Sequence, residues 1–311
     1  MMEFVEHRQV MVLGGGPAGF TAALYTARAD LKPLLVTGMT LYGQASQTHL
    51  IENFPGFPKG VGGTELGQLI EEQARHFGAE VVFDVVTSVN LEQQPFEVCL
   101  SSGKYTADCL IICMGADSRR LNVPGEQEFT GRGVSFCATC DGWFFKDKDI
   151  HIVGGGDSAL EEALFLTRFA RSVTIIHRRD ALRAGAILEN RARNNPKVKF
   201  LWNAVVKEIL GSEKIEELLV EDTVTGKQRR IPTEGVFVSI GHNPNTKLFE
   251  GQLKITPAGT LDVDRQLQTS VEGVFAAGEI ADPYFKQVVT SAGMGAAAAI
   301  SATKYLENLE K

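Results

Sequence analysis

The chain has 311 residues, 44% of them hydrophobic and 22% charged, the balance of a globular protein with room for two domains and full cores. A formal net charge of -7 argues against nucleic acid or an anionic membrane as a partner, and no apolar run approaches the roughly 20 residues that span a bilayer. The opening stretch, MMEFVEHRQV, lacks the basic, apolar and small-residue parts of a secretion signal, so a cytoplasmic protein is expected, in a compartment where structural disulfides are rare.

The stretch from Arg8 to Gly38, RQVMVLGGGPAGFTAALYTARADLKPLLVTG, reads as a strand at Val10 to Leu13, a helix from Pro17 to Ala29, and a second strand in LKPLLVTG. Gly14, Gly16 and Gly19 between strand and helix have the spacing of a dinucleotide turn. The first glycine makes the tight turn, the second admits backbone to a pyrophosphate, and the third lets the helix pack on the strand. The helix N-terminus then stabilises phosphate charge.

Further on, Cys109 and Cys113 in ADCLIICMGA fall in a predicted buried strand, where cysteine acts as a small apolar residue, and Cys99 is read the same way. The segment 116–126, ADSRRLNVPGE, has the proline and polar residues of a linker. After it comes FCATCDGWFF, with Cys137 and Cys140 followed at once by Asp141. Such a pair can hold a metal, staple a loop, or carry a disulfide that opens and closes in turnover. Zinc usually needs a second short-spaced pair on an exposed turn, and Cys109 and Cys113 are poor candidates for one. A redox role fits better, because a C-x-x-C pair can carry a thiol of lowered pKa and Asp141 can move the proton during exchange, although a simple turn role for Asp141 stays open.

The nucleotide pattern then repeats in DIHIVGGGDSALEEALFLTRFARSVTIIHRRD, with Gly154, Gly156 and Ala159 in the turn and a second strand ending near Ile176. Two such units imply two dinucleotides. An NAD site wants an acid after the second strand, yet here stand His177, Arg178, Arg179 and then Arg183, a cluster suited to the 2′-phosphate of NADPH. The first copy ends in VTG, with neither acid nor basic cluster, and a flavin is the natural carrier between hydride and sulfur chemistry. Near the C-terminus a short strand, Val274 to Ala277, precedes Gly278 and Glu279, and a long helix starts near Gln287 or Val288. That carboxylate can bind ribityl hydroxyls, and the helix N-terminus can stabilise negative charge on a reduced flavin. If both chain ends build the flavin site, the middle is an insertion, with its crossings at 116–126 and at 241–249, GHNPNTKLF.

In this order GGGPAG, Gly43-Gln44, ENFPGFP, CATCDG, GGGDSA, HRRD, GHNPN and FAAGE give a chain that resembles, over essentially its whole length, the bacterial-type, low-molecular-weight thioredoxin reductases of the pyridine nucleotide-disulfide oxidoreductases. The resemblance implies an α/β fold of two Rossmann-like domains, a discontinuous FAD domain of 1–117 plus 248–311 and an inserted NADPH domain of 118–247, in a homodimer. It implies FAD contacts at Gly14, Gly16, Pro17, Ala18 and Gly19, at Gly43, Gln44 and Asn53, and at Gly278, Glu279, Lys286, Gln287 and Val288. It implies NADPH contacts at Gly154, Gly156, Asp157, Ser158, Ala159, His177, Arg178, Arg179 and Arg183. The family usually has Asp where this chain has Glu279, and Arg where it has Lys286; both keep their charge.

The implied reaction runs from NADPH to FAD, to Cys137–Cys140, and on to the disulfide of thioredoxin or a similar small protein, with Cys140 the sulfur nearest the flavin. Reductases resembling glutathione reductase carry their cysteines in the FAD domain, where TGMTLYGQASQTHLIENF has none. With the pair and the NADPH turn both on the inserted domain, rotation of that domain about its two linkers is expected. Two rival readings stand beside this one: a reductase serving ferredoxin, flavodoxin or a peroxidase system, and a non-catalytic nucleotide sensor. Ferredoxin-type relatives lack the cysteine pair, peroxidase-linked ones carry an extra N-terminal disulfide domain, and a sensor needs no dithiol.

Overall fold

The computed structural model describes residues 5–48 and 50–309; the first four residues of the opening stretch lie outside these, as do His49 and the last two. The chain first lays down β1 (Val5–Leu13), α1 (Pro17–Arg28), β2 (Leu34–Val36), α2 (Gly63–His76), β3 (Glu80–Val82), β4 (Val86–Asn90), β5 (Phe96–Leu100) and β6 (Lys104–Ile112). It crosses at β7 (Ala116–Ser118) and continues with β8 (Val134–Ser135), α3 (Ala138–Asp141), β9 (Asp149–Val153), α4 (Asp157–Leu166), β10 (Ser172–Ile176), α5 (Ala186–Arg193) and β11 (Val198–Leu201). An antiparallel meander, β12 (Ala204–Gly211), β13 (Ile215–Asp222) and β14 (Gln228–Pro232), leads to β15 (Val236–Val238), the return crossing β16 (His242–Pro244), β17 (Val274–Ala276) and α6 (Val288–Leu309). Among the described residues no helix is long and apolar enough to cross a membrane.

The chain divides into two units, 1–117 with 243–311, and 118–242. In the first, β3-β2-β1-β6 form a parallel core extended by antiparallel β5 and β4, while β17 adds to the far end of β6. Both faces of this sheet are covered, which is why its strands read as continuous apolar runs. Val10, Val12, Cys109 and Ile111 face a core that includes residues of α1 and α6; Met11, Leu13, Leu110 and Ile112 face the opposite core. Cys109 and Cys113 are thus core packing, and burial pushes both thiols well above the usual range. Residues 243–247 belong to this unit because Asn245 donates from its backbone to Gly115 O and from its side chain to Met114 O.

The second unit has a parallel sheet ordered β11-β10-β9-β15-β8, with the three-stranded meander as a separate sheet. The two crossings, β7 and β16, pair with each other as a two-stranded ribbon. Glu126 organises the first crossing: its buried carboxylate accepts from the backbone of Leu121 and Asn122, and Asn122 takes a left-handed φ of +56°.

Candidate active site

In the first unit the three glycines of the turn occupy three different environments. Gly14 has φ +115°, and a Cβ there would lie 2.3 Å from Cys113 O. A Cβ on Gly19 would lie 1.8 Å from Gly14 O, so α1 packs directly on the turn. Gly16 has no atom within 4 Å of its Cβ position. The crowding at Gly14 and Gly19 and the opening at Gly16 are what a pyrophosphate approaching the backbone requires. The residues therefore fit a dinucleotide.

Tertiary structure gathers the remaining residues around that turn. A Cβ on Gly43 would come within 3.3 Å of Gly16 Cα, which brings the Gly43–Gln44 loop beside the phosphate turn. Gln44 Nε2 donates to Asp117 Oδ1 at 3.0 Å. Asn53 Nδ2 donates to Gln287 Oε1 at 3.1 Å, joining segments 234 residues apart. Gly278 adopts φ +79°, its missing Cβ 3.0 Å from Ala18 Cβ, and so carries Glu279 to the start of α1. Burial raises the Glu279 carboxyl above the usual range; Lys286 opposes this, and Asp282 and Asp117 add to it.

Lys286 itself has φ +51°. The turn is held by buried Asp282, whose carboxylate accepts from the backbone of Tyr284, Phe285 and Lys286. Neither Asp117 nor Asp282 was singled out from the sequence. Asp282 had a local signal, an Asp-Pro turn pair; Asp117 had none beyond its place in the linker.

The second turn repeats the pattern in the second unit. A Cβ on Gly154 would lie 2.4 Å from Ser239 O and 2.5 Å from Ala159 Cβ, whereas at Gly156 only an Arg183 Nη2 lies near, at 3.8 Å. Arg178, Arg179 and Arg183 are exposed, and Ser158 is exposed on the first turn of α4. These residues fit a phosphorylated nucleotide. His177 and Asp157 are placed differently from the arginines. The buried His177 ring lies under the turn, Nδ1 3.0 Å from Gly154 O and Nε2 3.0 Å from Ala181 O. Asp157 Oδ1 accepts from Gly185 N at 2.7 Å.

Cys137 and Cys140 form a disulfide with Cα atoms 5.3 Å apart, and both are half-buried. Cys137 caps the short helix α3, its sulfur accepting from Cys140 N at 3.2 Å with Thr139 Oγ1 at 3.4 Å. Backbone N–H aimed at this sulfur favours a thiolate once the bond opens. Asp141 accepts from Ser135 Oγ, and burial raises its carboxyl above the usual range although that hydrogen bond pulls the other way. Trp143 and Phe144, just beyond, are exposed large side chains. Among the described residues no group of three or more His, Cys, Asp or Glu is arranged to hold a metal ion.

Comparison with known proteins finds a family model described as pyridine nucleotide-disulphide oxidoreductase matching residues 8–295. A thioredoxin reductase of Streptomyces coelicolor is 47% identical, the match covering 97% of this chain and 95% of that one. A bifunctional thioredoxin reductase/thioredoxin of Mycobacterium leprae is 49% identical over 96% of this chain and 66% of its own length. The crystal structure of a thioredoxin reductase from Streptococcus pyogenes superposes with a TM-score of 0.93 at 40% identity, covering 98% of this chain and all of the other.

Proposed function

The chain belongs to the pyridine nucleotide-disulphide oxidoreductases, and within that family we propose that it is an NADPH-dependent thioredoxin reductase. The observation that carries this reading is the half-buried Cys137–Cys140 disulfide, on the same unit as the second glycine turn and its exposed arginines. Exposed Trp143 and Phe144 beside the pair favour a protein, not a small thiol, as the electron acceptor. The M. leprae relative carries reductase and thioredoxin in one name, which supports thioredoxin as that protein.

The unit of 1–117 with 243–311 is read as the FAD domain and 118–242 as the NADPH domain. FAD supplies a two-electron carrier between nicotinamide hydride and sulfur. For its binding the open Gly16 backbone receives the pyrophosphate, the start of α1, from Pro17, supports phosphate charge, and Glu279 addresses the ribityl hydroxyls, with Gln44, Asn53 and Gln287 around them. For NADPH, Gly156 receives the pyrophosphate and Arg178, Arg179 and Arg183 bind the 2′-phosphate.

Opening Cys137–Cys140 takes two electrons and two protons; exchange with the thioredoxin disulfide returns both through a mixed disulfide. Asp141, its carboxyl raised by burial, holds and returns a proton at the departing sulfur. Cys140 is assigned as the flavin-facing sulfur by resemblance to the family. Both groups that exchange electrons with the FAD domain belong to the inserted domain, so turnover requires that domain to rotate about β7 and β16. A cytoplasmic homodimer that contacts neither membrane nor nucleic acid completes the reading.

The test is a coupled assay of FAD-loaded protein with thioredoxin and a disulfide dye, comparing NADPH with NADH and wild type with Cys137→Ser and Cys140→Ser. Dye reduction that needs thioredoxin, NADPH and both cysteines supports the proposal. Flavin reduction by NADPH without turnover of thioredoxin directs the electrons elsewhere and refutes it.

A further inference from the structure

A carboxylate in the first turn of α4 is a poor choice of ligand for an anionic nucleotide. Asp157 shares the helix N-terminus with any bound pyrophosphate and repels it. A buried imidazole whose two nitrogens both face main-chain carbonyl oxygens offers nothing to a phosphate either. What the two residues share is the segment they tie down. The loop that carries Arg178, Arg179 and Arg183 runs from His177 to Gly185. The His177 ring sits between Gly154 O in the glycine turn and Ala181 O in the middle of the loop, a nitrogen 3.0 Å from each. Its N–H donates to one of them, and the ring fills the space a Gly155 side chain would need, Nδ1 lying 2.2 Å from that Cβ position. Arg183 N donates to Gly155 O at 2.8 Å. Asp157 Oδ1 accepts from Gly185 N and closes the far end.

We propose that Asp157 and His177 are positioning residues that stitch the arginine loop to the phosphate turn, and that they set the preference for the 2′-phosphorylated nucleotide without touching it. Ordering three long exposed side chains costs entropy on binding, and a loop held at both ends has already lost part of it. Loosening the stitch therefore weakens NADPH more than NADH, because only the 2′-phosphate needs all three guanidinium groups in one place. The inference rests on the NADPH reading of the second unit.

The experiment is equilibrium titration of the FAD-loaded protein with NADP+ and with NAD+, using Asp157→Ala, Asp157→Asn and His177→Phe, the last keeping a ring under Gly155. Hydrogen exchange at the Gly185 amide without nucleotide reads the stitch directly. Asp157→Ala and His177→Phe are expected to lower the NADP+ over NAD+ preference about fivefold to tenfold, the equivalent of one lost hydrogen bond. In turnover the change falls on KM for NADPH more than on kcat. Asp157→Asn keeps an acceptor for Gly185 N, removes the repulsion, and retains the wild-type preference. In Asp157→Ala the Gly185 amide exchanges faster. An unchanged preference in Asp157→Ala, an Asn variant as poor as the Ala variant, or unaltered exchange at Gly185 overturns the proposal. A wild type that does not prefer NADP+ sinks the underlying cofactor reading instead, and the specificity claim with it.

Discussion

Ser135 donates a 2.6 Å hydrogen bond to Oδ2 of Asp141, the acid that follows the redox pair. Ser135 lies in β8 and Asp141 ends α3, so strand and helix hold the carboxyl in place beside the cysteines. Burial raises this carboxyl, and the serine bond, which favours the charged form, limits the rise. Replacing Asp141 by Asn keeps a partner for Ser135 but removes the titrating proton. Single-turnover oxidation of the reduced protein by thioredoxin is expected to slow on the order of 100-fold in Asp141→Asn. In wild type its rate should show a limb above the ordinary carboxylate range. Ser135→Ala should move that limb to higher pH, and a limb that survives in Asp141→Asn would assign the proton to another group.

The glycine turn makes two substitutions of equal size act on different properties. A Cβ at Gly16 meets nothing, and its backbone, with φ -88°, suits alanine, so Gly16→Ala should fold and melt like the FAD-free wild type yet fail to bind FAD. A Cβ at Gly19 would strike Gly14 O at 1.8 Å, so Gly19→Ala should cost about 2 kcal/mol or more through forced separation of α1 from the turn. Flavin absorbance and circular-dichroism melting separate the two outcomes. A Gly16→Ala protein with full flavin content would remove the pyrophosphate from that turn.

Acid should weaken the second unit through one histidine. His151 in β9 is buried against Thr233 Oγ1 at 2.9 Å, and burial pushes its pKa down to about 4 from the ordinary 6.5, Asp149 opposing only in part. The unfolded chain therefore binds a proton that the folded one refuses between these two values, so stability falls as pH drops through that window. The difference of about 2.5 units corresponds to roughly 3 kcal/mol by pH 4. Urea unfolding of wild type and His151→Gln at pH 7 and pH 5 checks this. The glutamine variant should lose less stability across that interval, and parallel losses would place the acid sensitivity elsewhere.

The proposed rotation of the inserted unit makes its own demand. A short cross-link between the two units should abolish NADPH-driven thioredoxin turnover while sparing one half-reaction, either flavin reduction by NADPH or flavin oxidation through the disulfide. Stopped-flow flavin absorbance follows each half-reaction separately. Full rates for both in the cross-linked protein would show that no rotation is needed.

Much of the site was legible in sequence because its signals are local. A turn between strand and helix needs glycines at set spacing, covered parallel strands need unbroken apolar runs such as VMVL and CLII, and a disulfide loop needs two cysteines close together. Each of these depends on a few neighbouring residues, so the elements around both glycine turns, the dithiol and the basic cluster could be read before any fold was known. Partnership between polar side chains is not local. Asn53 meets Gln287 and Gln44 meets Asp117 only because parallel crossovers return distant segments to one edge of a sheet. His177 and Asp157 stand in the sequence among residues whose types suit a phosphate, and only the folded chain shows them set against their own backbone. Residue type determined which groups could serve the chemistry; the three-dimensional path of the main chain decided which of them are free to do so.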